Sequence, residues 1–416
     1  MISIIWFSNC VLSQSLSNAS GSWLFSMSKL LIETKRIRLV NIAIGNDLKS
    51  VKQVRVSDTF EEYLLPKWRL GKQGLPSKAN VDVIEGICKN ISPDIIHVWG
   101  LENYFSRIVN QFNITSKVLL EIQGLRNTCA GVYYGDLSIR ELLKCLAFRD
   151  LLFPSMSIVG QKRNFSKLGF YDIKAISSFK YISTQSDWVR AQLNGYSQAR
   201  IYETKMSIRR EFLEKPKWNF PNTDEISLFW CSATLFPYKS FQTMIKAFKV
   251  LKIDYPNIKL YVAGNIKPKR NFLLSGYYKY IRSLINIYDL NDNVIYVGSL
   301  NPSGMIDLMS KCICSVQTSY VESYSLALAE SMALGLPSVV SYAGAMPELA
   351  VDNVSGLYYQ PGDYMSCAYK IKKLISNPKL AESLSEESYK RARQMSSDEL
   401  VVRKQLEIYE SILIDK

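Results

Sequence analysis

Short apolar runs alternate with amphipathic stretches along almost the whole of this 416-residue chain, and that alternation narrows the fold more than any other feature. In the first half, Ile2–Ser8, Ile37–Ile44, Ile95–Val98, Val118–Ile122 and Tyr181–Thr184 read as strands, with helical spacing over Gly21–Ile32 and Val81–Lys89. In the second half, strands are expected at Ile226–Ala233, Ile258–Gly264, Val294–Gly298, Ile313–Thr318 and Ser338–Ser341. The helices expected between them are Phe241–Tyr255, Ser303–Met309 and Leu326–Leu334, followed by three near 364–376, 378–393 and 397–412. Continuous apolar strands separated by helices imply parallel sheets covered on both faces. A chain of this length exceeds one ordinary core and fits two such domains. The run from Leu213 to Thr223 is rich in proline and charge, and a strand follows it directly, so the boundary is placed there. The expected division is 1–215 and 224–396, with a terminal helix at 397–416 packing back towards the first domain.

The net charge of +14 is unevenly spread. Residues 1–220 hold 30 Lys+Arg against 18 Asp+Glu, and residues 221–416 hold 21 against 19. A basic first half suits an anionic partner such as a phospholipid surface or a lipid diphosphate, and equally suits a basic surface kept for solubility. The aromatic and basic spacing of a nucleic-acid module is missing, so no nucleic-acid partner is expected. The stretch Ser138–Phe153 sets Arg140, Lys144 and Arg149 among leucines. It fits either a helix lying on a membrane or an ordinary amphipathic core helix.

Eight scattered cysteines without CxxC spacing and a single histidine, His97, offer no zinc pattern, and reduced thiols are the expectation. Ile2–Phe7 is too short for a membrane span and lacks a preceding basic region, so a cytoplasmic chain is expected, with peripheral contact at the inner face of the membrane left open. No G-x-G-x-x-G follows a strand, which disfavours a dehydrogenase, and no Asp-x-Asp is present to hold manganese.

The ends of the second-half strands at Ala233, Gly264, Gly298 and Ser319 are expected on one sheet edge, where doubly wound folds bind ligands. After Ser319 a polar turn carries Glu322, a helix begins near Ser325, Glu330 lies about two turns along it, and the helix stops at Gly335-Leu-Pro337. The backbone N–H groups of Tyr324, Ser325 and Leu326 are therefore placed to hold a diphosphate at a helix start. Glu330 can reach a ribose and Glu322 a sugar beyond the phosphate. A surface helix with two solvated glutamates fits the same residues.

The segment from Ser319 to Pro337 resembles the E-x7-E motif of the retaining glycosyltransferases of family 4, and the likeness continues through Gly344-Ala-Met-Pro-Glu348 to Asn353-Val-Ser-Gly356. Upstream, Ser232-Ala-Thr-Leu-Phe-Pro-Tyr-Lys239-Ser-Phe is similar to that family's G-R-L-x-x-x-K-G turn. Thr234 replaces the usual arginine, and Ala233, Ser240 and Ser325 stand at glycine positions. Arg209, Arg210 or another residue then substitutes for the missing cation, or activity is weakened. Pro93-Asp-Ile-Ile-His97 resembles the strand whose histidine faces the cleft, and Gly21 and Ser22 fall on the N-terminal glycine-rich loop.

The resemblance implies a GT-B fold, two Rossmann-like domains facing a cleft, and transfer with retention from a nucleoside-diphosphate sugar without a required metal or other cofactor. It assigns Glu322, Lys239 and His97 to catalysis. Glu330, Tyr324, Ser325, Leu326, Thr234, Gly264 and Gly298 are assigned to the donor, and Gly21 and Ser22 to the acceptor side. The implied activity is a hexosyltransferase acting on a lipid-linked or oligosaccharide acceptor in capsule, exopolysaccharide or lipopolysaccharide synthesis. A nucleotide-sugar-binding homologue without catalysis and a GT-B sugar-nucleotide epimerase are the alternatives.

Overall fold

The computed structural model describes residues 1–13, 22–223, 225–266 and 276–415, and the chain divides into two compact units. Unit 1 comprises Met1–Leu125, Phe170–Ser207 and Ser396–Lys416, and unit 2 comprises Arg126–Gly169 and Ile208–Met395.

Unit 1 is built on eight strands: β1 (Ile2–Phe7), β2 (Ile37–Ile44), β3 (Lys52–Arg55), β4 (Phe60–Leu65), β5 (Ile95–Trp99), β6 (Lys117–Ile122), β7 (Tyr181–Thr184) and β8 (Arg200–Glu203). Their order is β3-β4-β2-β1-β5-β6-β7-β8. Every neighbouring pair is parallel except β3 against β4, so the one antiparallel strand lies at an edge. The central strands are apolar along their length because helices cover the sheet. Ile5, Phe7, Val40, Ile96, Val98 and Leu120 form the middle of the core, with essentially no exposure. The C-terminal helix Asp398–Ile414 belongs to this unit. Lys117 Nζ donates to its last carbonyls, Ile412 O at 2.9 Å and Leu413 O at 3.1 Å, which satisfies acceptors that a helix end leaves open.

Unit 2 carries a six-stranded, wholly parallel sheet: β9 (Ser227–Cys231), β10 (Lys259–Ala263), β11 (Val294–Gly298), β12 (Cys314–Gln317), β13 (Ser338–Ser341) and β14 (Leu357–Tyr359). Their order is β11-β10-β9-β12-β13-β14. The chain winds outward from β9 in one direction and from β12 in the other, so the topological switch lies between these two strands. Loops leaving their carboxyl ends run to opposite sides and open a crevice there.

The division differs from the expected boundary in two respects, and the first is that Ile208–Lys215 already belongs to unit 2. The second is that Arg126–Gly169 belongs to unit 2 although it precedes β7 and β8 of unit 1. Its attachment is specific: Asp136 Oδ1 accepts from Ser240 Oγ at 3.0 Å and from Gln242 Nε2 at 2.6 Å, and Tyr133 packs on Tyr238 with ring centroids 6.0 Å apart.

Candidate functional site

The loops after β9 and β12 are stitched together at the switch point. Tyr320 N donates to Tyr238 O at 2.8 Å, and Thr318 Oγ1 donates to Lys239 O at 2.7 Å. This backbone frame aims two side chains at each other, and Lys239 Nζ donates to Glu322 Oε1 at 2.6 Å. Ser319 Oγ donates to the same oxygen at 2.6 Å, so Glu322 is held from two sides. Both charged side chains remain partly open to solvent. The Lys239 ammonium lies 5.7 Å from the centroid of the Tyr238 ring.

The helix Leu326–Leu334 starts directly beyond Glu322. Ser325 caps it, its side chain accepting from Leu328 N at 3.4 Å. A helix start gathers N–H donors and the positive end of the peptide dipoles, which suits an anion. Four residues into the helix, Glu330 is almost fully buried and is gripped by Arg209, whose Nε donates to Oε1 at 2.6 Å and Nη2 to Oε2 at 2.8 Å. Two parallel bonds between a guanidinium and a carboxylate fix both groups in one plane. Each carboxylate oxygen retains a further lone pair, so this pairing leaves Glu330 able to accept from a ligand hydroxyl.

Cys231, at the end of β9, registers both ion pairs. Burial pushes its thiol up to about 12, and Glu330, Arg209, Lys239 and Glu322 all act on it electrostatically. One strand end therefore has two acid–base pairs around it.

Tyr324 is buried at the turn, and Leu326 opens the helix. Thr234 is exposed and supplies its carbonyl to Ser232 Oγ at 2.7 Å, bringing no charge. Arg210 is largely exposed and pairs with Glu214 at 2.8 Å. Arg209 is thus the candidate substitute that reaches the acidic pair. Gly264 and Gly298 lie at the ends of β10 and β11, joined by Gly264 N to Gly298 O at 2.8 Å. Gly21 lies outside the described residues, as does the side chain of Ser22, which opens the helix Ser22–Glu33.

His97 differs from the expected cleft-facing imidazole. It sits within β5 at 0% exposure, stacked on Trp99 with centroids 3.8 Å apart, and its Nδ1 lies 2.9 Å from Tyr409 Oη. Burial holds its pKa well below 6.5, so the ring is neutral. The covering tyrosine comes from the C-terminal helix, far from β5 in sequence, and local pattern could not foresee it.

Sequence reasoning also missed Asp136, which braces the loop after β9, and the pairing of Arg209 with Glu330. No spacing rule links residues over a hundred positions apart.

Two doubly wound parallel-sheet units, one with acidic and basic pairs at its switch point, constitute the GT-B architecture of glycosyltransferases. Residues 211–391 match the family described as "Glycosyl transferases group 1". The uncharacterized glycosyltransferase YqgM of Bacillus subtilis is 26% identical over 200 residues, covering 48% of this chain and 53% of YqgM. The capsular polysaccharide biosynthesis glycosyltransferase CapM of Staphylococcus aureus is 22% identical over 175 residues, 42% of this chain and 43% of CapM. The matches thus span about half the length of these curated relatives. Among solved structures, Anabaena HepE in complex with UDP-glucose superposes with a TM-score of 0.67 at 14% identity, covering 99% of this chain and 100% of HepE.

Proposed function

We propose that this chain is a retaining hexosyltransferase that moves a sugar from a nucleoside diphosphate to a lipid-linked or oligosaccharide acceptor, and that capsule or related cell-surface glycan synthesis is its setting. The observation that carries the proposal is the Lys239–Glu322 pair at the β9/β12 switch point, immediately before a helix start. The capsular polysaccharide biosynthesis ascribed to CapM and the UDP-glucose held by HepE support the setting and the donor class.

In this reading the donor diphosphate lies on the helix start, and Lys239 transfers its hydrogen bond from Glu322 to a phosphate oxygen. The ammonium then offsets negative charge that grows on the diphosphate as the bond from the anomeric carbon to oxygen breaks, a task a preorganised cation performs without a metal. Glu322, released by the lysine, accepts from hydroxyls of the reacting sugar. Glu330, oriented by Arg209, accepts from the ribose. The acceptor oxygen bonds to the anomeric carbon on the face the diphosphate leaves, and its proton passes to the departing phosphate oxygen.

The test uses the full chain with a panel of nucleoside-diphosphate sugars, with and without membrane lipid extract. Transfer to lipid or slow donor hydrolysis is expected. Lys239→Ala lowers turnover on the order of 10²-fold or more, Glu322→Gln nearly abolishes it, and Glu330→Gln weakens nucleoside-diphosphate binding measured by calorimetry. Wild-type rates in these variants remove the assignment. Donor epimerised without acceptor, or donor bound and never turned over, replaces it with an epimerase or a binding protein respectively.

A further inference from the structure

The segment that opens unit 2 is built with its polarity reversed. The helix Ile139–Lys144 turns its one acid inward: Glu141 Oε1 accepts from Tyr280 Oη at 2.6 Å and pairs with Lys246 Nζ at 2.9 Å. A Cβ on Gly276 would come within 1.5 Å of Cys145 O, so this end of the segment lies flush on the helix Gly276–Ile287. The faces turned away carry Ile139, Leu143 and Leu146, all exposed.

The next turn repeats the inversion. Arg149 and Asp150 are 3% and 9% exposed, whereas Phe148 and Leu151 on either side of them are each 75% exposed. The buried charges hold the loop in shape: Asp150 Oδ2 accepts from Ala147 N at 2.9 Å, and Arg149 Nη2 donates to Asp150 Oδ1 at 3.4 Å and to Met156 O at 3.3 Å. Leu152, Phe153 and Met156 are exposed as well. A chain folding in water would reverse these positions unless something other than water meets the apolar side.

Charge identifies what meets it. Between Ser138 and Lys167 the basic residues are Arg140, Lys144, Arg149, Lys162, Arg163 and Lys167, against only Glu141 and Asp150. Both acids face inward, while Arg140, Lys144, Arg163 and Lys167 are exposed. Apolar side chains rimmed by cations without an exposed anion suit a bilayer surface, where the apolar groups enter the acyl boundary and the cations meet anionic headgroups. No helix among the described residues is long and apolar enough to cross a membrane, so contact by this segment is peripheral.

We propose that residues 139–156 form a membrane-docking surface of unit 2 for bilayers containing anionic phospholipid, with Phe148 and Leu151 as its inserted anchors. This inference is independent of the catalytic reading, because the test reads vesicle binding alone.

The full chain is floated with vesicles of phosphatidylcholine, or of phosphatidylcholine and phosphatidylglycerol in equal parts. Wild-type protein is expected to float with the anionic vesicles and to be released from them by salt. Phe148→Ser with Leu151→Ser reduces the bound fraction by about tenfold or more, and Arg140→Ser with Lys144→Ser reduces it and weakens its salt dependence. Since these side chains are exposed, circular dichroism and donor binding stay at wild-type values. A Leu152→Trp variant gains fluorescence that brominated lipid quenches beyond the wild-type background. Failure of the wild type to float, flotation of the Phe148/Leu151 variant at the wild-type level, or no added quenching in the Leu152→Trp variant overturns the proposal. So does a variant that merely converts a dimer to a monomer in light scattering, which would assign the patch to a second copy of the chain.

Discussion

Glu121 shows how one buried side chain can make stability depend on pH. It lies in β6 without solvent exposure, with Ser183 Oγ donating to one carboxylate oxygen. Burial raises its pKa from 4.5 to about 8. A carboxyl whose folded pKa is raised favours the folded state fully below 4.5, and that advantage is lost as pH climbs to about 8. His97 acts in the opposite sense: its depressed pKa gives stability that is present above 6.5 and lost as pH falls. Between 6.5 and 8 the Glu121 contribution falls while that of His97 nears completion, and wild-type unfolding free energy should drop by about 2 kcal/mol across that window. Urea titrations at intervals across it should show Glu121→Gln flattening the slope, and an unchanged slope would mean the carboxyl is already ionised. At this scale the sequence was legible where backbone geometry dictates residue type. Ser240 and Ser325, read as standing at glycine positions, have φ of 53° and 82°, the left-handed region that glycine enters without strain. Partners were not legible, because Arg209 and Glu330, 121 positions apart, leave no periodic trace of their contact.

Among the elements, the turn that follows β13 governs where Glu322 sits. Gly344 has φ of 56°, and a Cβ there would lie 2.1 Å from Glu322 O and 2.7 Å from Glu322 N. Ala345 N donates to that same carbonyl at 2.8 Å, so the turn grips the backbone of the acidic loop directly. Gly344→Ala must push the loop away, and a displacement near 1 Å at a reacting group costs on the order of 10²-fold in rate. The expected result is a severe loss of turnover with nucleoside-diphosphate binding retained, since the Arg209–Glu330 pair lies on other elements. Equal losses in binding and turnover would show that the whole crevice had collapsed. Elements were most legible where the local pattern suffices: β2, β7, β11, β13 and the helix Leu326–Leu334 fall on their expected bounds. The edge strand β3, Lys-Gln-Val-Arg and mostly exposed, gave no apolar run to read. The single helix expected over Ser138–Phe153 is instead two short helices, Ile139–Lys144 and Arg149–Leu152. Asp150 closes the turn ahead of the second by accepting from Ala147 N, and Pro154 follows its end, a break that an unbroken leucine pattern conceals.

The whole molecule is assembled by exchange, each unit borrowing chain from the other side of the boundary. Arg126–Gly169 is given to unit 2 from within the first half of the sequence, and Ser396–Lys416 is given to unit 1 from the far end of the second. Both loans are tied by buried groups. Asp136 satisfies Ser240 and Gln242 in unit 2, while Tyr409 Oη in unit 1 meets His97 Nδ1 and accepts from Trp6 Nε1 at 3.0 Å. Removing either segment strands several buried polar groups, each at roughly 1–3 kcal/mol, and bares apolar surface besides, which together exceeds a large part of an ordinary stability of about 5–15 kcal/mol. A cut after the exposed Pro216, inside the boundary the sequence marks, therefore does not release two independent domains. Residues 1–216 and 217–416 expressed separately should each lack a cooperative near-UV transition. Expressed together they should co-purify as one complex, because the first fragment carries the missing piece of unit 2 and the second the missing piece of unit 1. Deleting residues 396–416 from the second fragment should then leave unit 1 incomplete and sharply reduce the yield of the complex. Two fragments that each purify as cooperatively folded monomers would show that the exchanged segments contribute little to either unit.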